Sequence, residues 1–147
     1  MAETAATKPF FRGAMKKRRC LVPADGWYEW QPTGGKKKQP YFFGPRDCKP
    51  IAFAGLWESW EHEGELLDTC AILTTDANEV AAPVHNLIPV ILPAEAIDAW
   101  LDPANQDVAT VQSLLLTYPA YRMRSYPVST WVNNPRHDDP RCIEPAA

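Results

Sequence analysis

The sequence predicts an α+β fold, mainly antiparallel β with a few short helices. Three observations carry that reading. Fifteen prolines, spread from Pro9 to Pro145, break helices and sit at turns and strand edges, so long helical bundles are excluded. Aromatic and β-branched runs recur between turn signals. The order of elements lacks the strand–helix alternation of a parallel sheet. A length of 147 residues points to one domain over 1–147, and 46% hydrophobic with 22% charged residues is a globular composition.

The elements follow in order. Lys8 to Arg19 reads as a short helix, with Pro9 suited to its first turn and Phe10, Phe11, Ala14 and Met15 on one apolar face; Gly13 weakens it. Cys20-Leu21-Val22-Pro23 reads as a strand running into the turn Ala24-Asp25-Gly26. Trp27 to Trp30 and Pro40 to Phe43 form a hairpin about Pro32-Thr33-Gly34-Gly35. Ile51 to Trp57 is a further strand, Glu61 to Gly64 a polar loop, and Leu66 to Thr74 a buried strand. Val90-Ile91-Leu92 is a short strand. Pro93 opens a helix through Leu101 that stops near Pro103, and a second covers Asp107 to Leu116. Tyr121 to Val132 alternates like a strand, and the tail from Asn133 to Ala147 is expected to wrap irregularly.

The net charge of −3 hides an asymmetry. Residues 1–50 carry eleven Lys and Arg against four acids, giving +7; residues 51–147 carry four Arg against fourteen acids, giving −10. Such a split marks either an anionic partner or solvated turns at Lys16-Lys17-Arg18-Arg19 and Lys36-Lys37-Lys38. Four cysteines at 20, 48, 70 and 142 show no Cys-x-x-Cys spacing, and His62, His85 and His137 do not fall near them at zinc-site spacing. Neither a metal nor a cofactor is expected. The thiols read as free and buried in a reducing compartment, and no apolar signal core or membrane span appears, so a cytoplasmic location is expected. Phosphate-cradling glycine loops, HExxH and GxSxG are absent.

Two residues stand out chemically. Glu29 lies within an aromatic strand, where period two puts it on the face of Trp27. Either it is an exposed glutamate on a half-wet strand, or it is a desolvated carboxylate suited to general acid–base work. His85 lies in the proline-bounded apolar segment Ala82 to Leu92. It is either a core histidine satisfied by a carbonyl or a proton shuttle near neutral pH.

Cys20-Leu21-Val22-Pro23-Ala24-Asp25-Gly26-Trp27-Tyr28-Glu29-Trp30 resembles a hallmark of the SOS response-associated peptidase (SRAP) family. Ala2-Glu3-Thr4-Ala5, His85-Asn86-x-x-Pro89-Val90-Ile91-Leu92, and Pro127-Val128-Ser129-Thr130 with Val132-Asn133-Asn134-Pro135 resemble three further family segments in the same order. The resemblance implies a partly barrel-like antiparallel sheet and a function in DNA damage repair. Members bind single-stranded DNA at abasic sites and crosslink to the opened sugar through an amino-terminal cysteine, whose amine and thiol close a thiazolidine. Lyase and self-peptidase activity accompany this. It implies catalytic roles for Glu29 and His85. Lys8, Arg12, Lys16 and Thr74 are the expected nucleic-acid contacts, with Lys36 to Lys38 adding sequence-independent, salt-sensitive affinity.

Three departures accompany the resemblance. Position 2 is Ala2 rather than cysteine, the family's asparagine upstream of the Glu3-Thr4 match has no counterpart, and Leu87 replaces an arginine of the histidine motif. The chain is therefore expected to lack the family's amino-terminal part, to expose strand edges and self-associate, and to be limited to a reversible Schiff base through the α-amine of Ala2. The alternative reading is a non-catalytic fragment that binds single-stranded DNA.

Overall fold

The computed structural model describes residues 2–5 and 9–146. The chain forms two compact units: Met1–Pro23, Ile51–Thr75 and Pro89–Tyr118 make the first, and Ala24–Pro50, Asp76–Ile88 and Pro119–Ala147 the second. The antiparallel α+β expectation holds, and the sheets stay open.

In the first unit, α1 (Ala2–Ala5) and α2 (Pro9–Lys17) precede strand β1 (Arg19–Ala24). Ala14 and Met15 of α2 turn inward, while Arg12 and Lys16 stay exposed, as the helical period demands. Strand β1 pairs with β4 (Ile51–His62), which pairs antiparallel with β5 (Glu65–Ile72) and with the short β8 (Ile91–Leu92). Helices α3 (Ala94–Leu101) and α4 (Val108–Ser113) complete the unit. Asp107 caps α4, its carboxylate accepting from the backbone of Ala109 and Thr110. One core cluster joins Ala2, Met15, Leu56, Val90, Trp100 and Val111.

Arg19 ties the unit together. It is buried, and its guanidinium donates to the carbonyls of Met15 and Lys16, at the end of α2, and of Trp100 and Asp102, at the end of α3. Arg18 pairs with Glu58 at 2.6 Å. Half of the Lys16-to-Arg19 run is thus architectural rather than solvated, and Lys16 and Lys17 remain exposed.

In the second unit, β2 (Trp27–Pro32), β3 (Lys38–Pro45) and β9 (Met123–Pro127) form an antiparallel sheet in the order β2-β3-β9. The turn from β1 into β2 needs a glycine. A Cβ on Gly26 would fall 2.2 Å from the Phe43 carbonyl oxygen. Phe42, Phe43, Met123 and Val128 are buried. Short strands β6 (Thr74–Asp76) and β7 (Leu87–Pro89) pair as a separate ribbon.

Several expectations change. Leu66 to Thr74 is not a buried strand: every residue of β5 is exposed, and Leu66 is 69% exposed. The loop at Glu61 to Gly64 shrinks to Glu63 and Gly64, both at positive φ, because β4 and β5 continue pairing to His62 and Glu65. Tyr121 to Val132 is a strand only over Met123–Pro127, flanked by 3₁₀ turns at Ala120–Arg122 and Thr130–Asn133. The cysteines are free but not buried: Cys48 and Cys70 are exposed, Cys20 and Cys142 half-buried. No helix among the described residues is long and apolar enough to cross a membrane.

Candidate proton-transfer site

The second unit holds both Glu29 and His85. Glu29 lies mid-strand in β2, directly opposite Tyr41 of β3. Trp27 and Gln31 share its face, and Trp27 stacks on Phe43 of β3 with centroids 5.4 Å apart. The opposite face is an aromatic layer of Tyr28, Phe42 and Tyr126. Glu29 is half-buried, and that desolvation raises its carboxyl pKa; the charge of His85 acts in the opposite, weaker sense. The exposed-glutamate reading therefore gives way to the desolvated one, and the two predicted residues lie within electrostatic reach of each other.

The His85 loop is built by local hydrogen bonds. Asn78 accepts through its side-chain oxygen from the backbone of Val80 and Ala81. Ala82 and His85 donate back to the carbonyls of Asn78 and Ala81, and Ala77 donates to the Asn86 carbonyl, closing the base of the loop. Ala81 and Val84 are buried, whereas His85 is exposed. This excludes a core histidine. The Gln31 side chain donates to the Pro83 carbonyl at 2.9 Å, fastening the loop to the Glu29 face of β2.

The ring of His85 is held through one nitrogen. The Leu87 N–H lies 3.1 Å from Nδ1 and donates to it in the neutral ring; the Leu87 carbonyl lies 3.0 Å from the same atom and accepts from it when it is protonated. With Nδ1 accepting from the Leu87 N–H, the neutral ring carries its proton on Nε2, which is the nitrogen left to donate outward. Leu87 thus works through its backbone, which its apolar side chain leaves intact. Gln31 and the Leu87 backbone were missed from sequence; only the period-two pattern, placing Gln31 beside Glu29, pointed to the former.

The expected nucleic-acid contacts are placed separately. Lys8 lies outside the described residues. Arg12 and Lys16, one turn apart on α2, are exposed in the first unit, and Thr74, half-buried, opens β6. In the second unit Lys36 and Lys37 are exposed between β2 and β3, and Lys38 is exposed opposite Pro32, so they crown the hairpin that carries Glu29. The Thr33 hydroxyl donates to the Lys37 carbonyl and shapes that tip. Ala2 is packed in the core of the first unit.

An antiparallel α+β scaffold here presents a half-buried carboxylate and an oriented imidazole from one unit. The chain belongs to the SOS response associated peptidase (SRAP) family, whose model matches residues 1–135. It is 43% identical over 144 residues to the abasic site processing protein YoqW of Bacillus subtilis, covering 97% of this chain and 64% of that protein. It is 38% identical over 166 residues to the abasic site processing protein HMCES of Gallus gallus, covering 98% of this chain and 48% of that one. A crystal structure of a protein from Bacteroides thetaiotaomicron superposes with a TM-score of 0.90 at 30% identity, over 99% of this chain and 64% of that one. The chain thus spans less than two thirds of the length of these relatives.

Proposed function

We propose that this chain processes abasic sites in single-stranded DNA, with Glu29 and His85 as its proton-transfer pair. The observation that carries the reading is the desolvated Glu29 carboxylate on the sheet face to which Gln31 fastens the His85 loop. The relatives' names supply the substrate class, and the lysines crowning the same hairpin supply phosphate contacts. Self-peptidase activity and a place in the SOS response are parts of the family reading extended to this chain; stable crosslinking is expected of intact members.

The chemistry these residues can perform is strand cleavage by β-elimination. An abasic sugar opens to an aldehyde at C1′, which acidifies C2′. The Glu29 carboxylate, made more basic by burial, takes the C2′ proton. The freed electron pair forms the C2′–C3′ double bond, and the C3′–O bond breaks with its pair leaving on the 3′ phosphate. His85 donates a hydrogen bond from Nε2–H to the aldehyde oxygen, where negative charge develops.

The experiment follows cleavage of a single-stranded oligonucleotide bearing one abasic site, with Glu29→Gln and His85→Asn as variants. Cleavage above the protein-free rate that falls at least about tenfold in either variant is expected, in line with the usual worth of a general base. A rate equal to the protein-free rate, or unchanged in both variants, overturns the proposal. A second reading, a binding module without chemistry, is favoured by the exposed Lys36 to Lys38 tip. It predicts salt-sensitive binding that both variants retain, with no cleavage.

A further inference from the structure

Three side chains border Glu29 on its own face of the sheet. Trp27 flanks it along β2 on one side, and Gln31, on the other, carries the His85 loop. The third is Tyr41, directly opposite Glu29 in the β2–β3 ladder. Opposed residues of an antiparallel pair share a face, with Cβ atoms about 5 Å apart. Behind Tyr41 the same row ends in Pro127 of β9, which has no donor side chain. In front of Glu29, β2 is the end strand of the order β2-β3-β9, so among the described residues no strand closes that flank. A sugar set over Glu29 thus approaches from the β2 edge and meets Tyr41 at its back.

Tyr41 is a positioned group. Its ring centroid lies 6.4 Å from that of Phe43, which in turn stacks on Trp27 at 5.4 Å. Two residues along a strand are about 6.6 Å apart, so the Tyr41 and Phe43 rings rise from the sheet side by side rather than leaning together. A phenol is longer than a glutamate side chain, so its oxygen stands farther off the sheet than the Glu29 carboxylate. Tyr126, on the opposite face, spends its hydroxyl on the Ile143 carbonyl. Tyr41 is half-buried, and none of the described residues takes a hydrogen bond from its hydroxyl.

We propose that Tyr41 is a further substrate-contacting residue of this site, an assignment that rests on the abasic-site reading: its hydroxyl donates a hydrogen bond to the 3′ phosphate as that group leaves. In the elimination, Glu29 takes the C2′ proton and His85 serves the aldehyde oxygen. The departing phosphate gains the electron pair of the C3′–O bond and needs a donor of its own. C3′ is bonded to C2′, so a C2′ placed over Glu29 brings the leaving oxygen next to the neighbours of Glu29. His85 stands on the Gln31 side. Gln39 spends its amide on the carbonyls of Pro40 and Val128, and Ser125 lies one row away, opposite Phe43. Tyr41 is the hydroxyl beside Glu29. It keeps its proton throughout: the C2′ proton ends on Glu29, and the phosphate departs as an anion.

The test compares wild type with Tyr41→Phe, which keeps the ring against Phe43 and removes only the hydroxyl. On a single-stranded oligonucleotide with one abasic site, kcat should fall at least about tenfold with KM within about twofold, since the contact strengthens only as the C3′–O bond breaks. Affinity for the same oligonucleotide carrying a tetrahydrofuran analogue of the abasic sugar should match wild type, as should the melting temperature. A second substrate carries sulfur in place of the 3′ oxygen, a better leaving group. On it the Tyr41→Phe loss should shrink below about threefold, while the His85→Asn loss, which arises at the aldehyde, persists. A purely structural role would slow both substrates alike. Equal kcat for Tyr41→Phe and wild type, the same loss on both substrates, or weakened binding of the tetrahydrofuran analogue overturns the assignment and leaves Glu29 and His85 in place. Wild-type cleavage no faster than the protein-free rate overturns the abasic-site reading and the assignment with it.

Discussion

The side-chain amide of Gln31 donates to the carbonyl of Pro83 at 2.9 Å, and this bond ties the His85 loop to the strand that carries Glu29. Glu29 is held by a strand and His85 by a loop. Strand geometry is set by the ladder with β3, whereas the loop is anchored by its own turn and by Gln31. Gln31→Ala should cost about 1 kcal/mol of stability, the usual net worth of one such hydrogen bond. It should lower abasic-site cleavage several-fold, and Gln31→Glu should not restore it, since a carboxylate cannot donate to a carbonyl. Equal cleavage rates for Gln31→Ala and wild type would show that the loop positions His85 unaided.

Burial raises the Glu29 pKa, and the sign of the stability effect follows. Between the unfolded value of about 4.3 and the higher folded value, the native state binds more protons than the unfolded state, so stability falls as pH rises through that window. Above the folded value the loss is complete and constant. Glu29→Gln removes it. The variant should melt no lower than wild type at pH 7, and its advantage should disappear below about pH 4. A Glu29→Gln melting temperature below wild type at neutral pH, with parity in acid, would mean that the carboxylate is stabilised rather than desolvated.

Much of this was legible in the sequence. Pro32 to Gly35 announced the β2–β3 hairpin, period two set Glu29 beside Trp27, and the chain's cluster of local signatures marked His85. What escaped was decided by tertiary context. The apolar run from Leu66 to Ile72 reads as interior, but β5 has a neighbour on one side only and the outer half of β4 is itself exposed, so burial never reaches it. The alternation beyond Pro127 is ended by Ser129, whose hydroxyl accepts from the Trp131 N–H and starts a 3₁₀ turn instead. Arg19 looked like one cation in a solvated run; only the meeting of the α2 and α3 ends reveals why it is buried.

Arg19 should behave as a structural residue. Its guanidinium satisfies carbonyls at two helix ends, and burial lowers its pKa against the raising effect of Asp102. Arg19→Met leaves those carbonyls without their donor and should destabilise the chain by about 3 kcal/mol. Arg19→Lys should recover little, because one ammonium cannot span positions that a planar fork reaches together. Urea unfolding of both variants measures this. A loss below about 1 kcal/mol in Arg19→Met would assign the helix ends to water instead.

The carboxyl-terminal tail gives the last prediction. Trp131 stacks on His137 at 3.4 Å between centroids and lies under the Arg141 guanidinium at 4.0 Å. Asp139 joins them. Its carboxylate accepts from Arg141 at 2.8 Å and from the Trp131 indole at 3.3 Å, and also caps the 3₁₀ turn Pro140–Ile143. The Arg141 hydrogen bond is the main cause that brings the Asp139 pKa down to about 2. For a depressed carboxylate, stabilisation is fully present above the unfolded value of about 3.9 and is lost as pH falls through the folded one. The Asp139-dependent part of Trp131 fluorescence, read as wild type minus Asp139→Asn, should therefore stay flat from neutral pH to about pH 4 and collapse toward pH 2. A difference that already vanishes near pH 5 would place the Asp139 carboxylate outside the clasp.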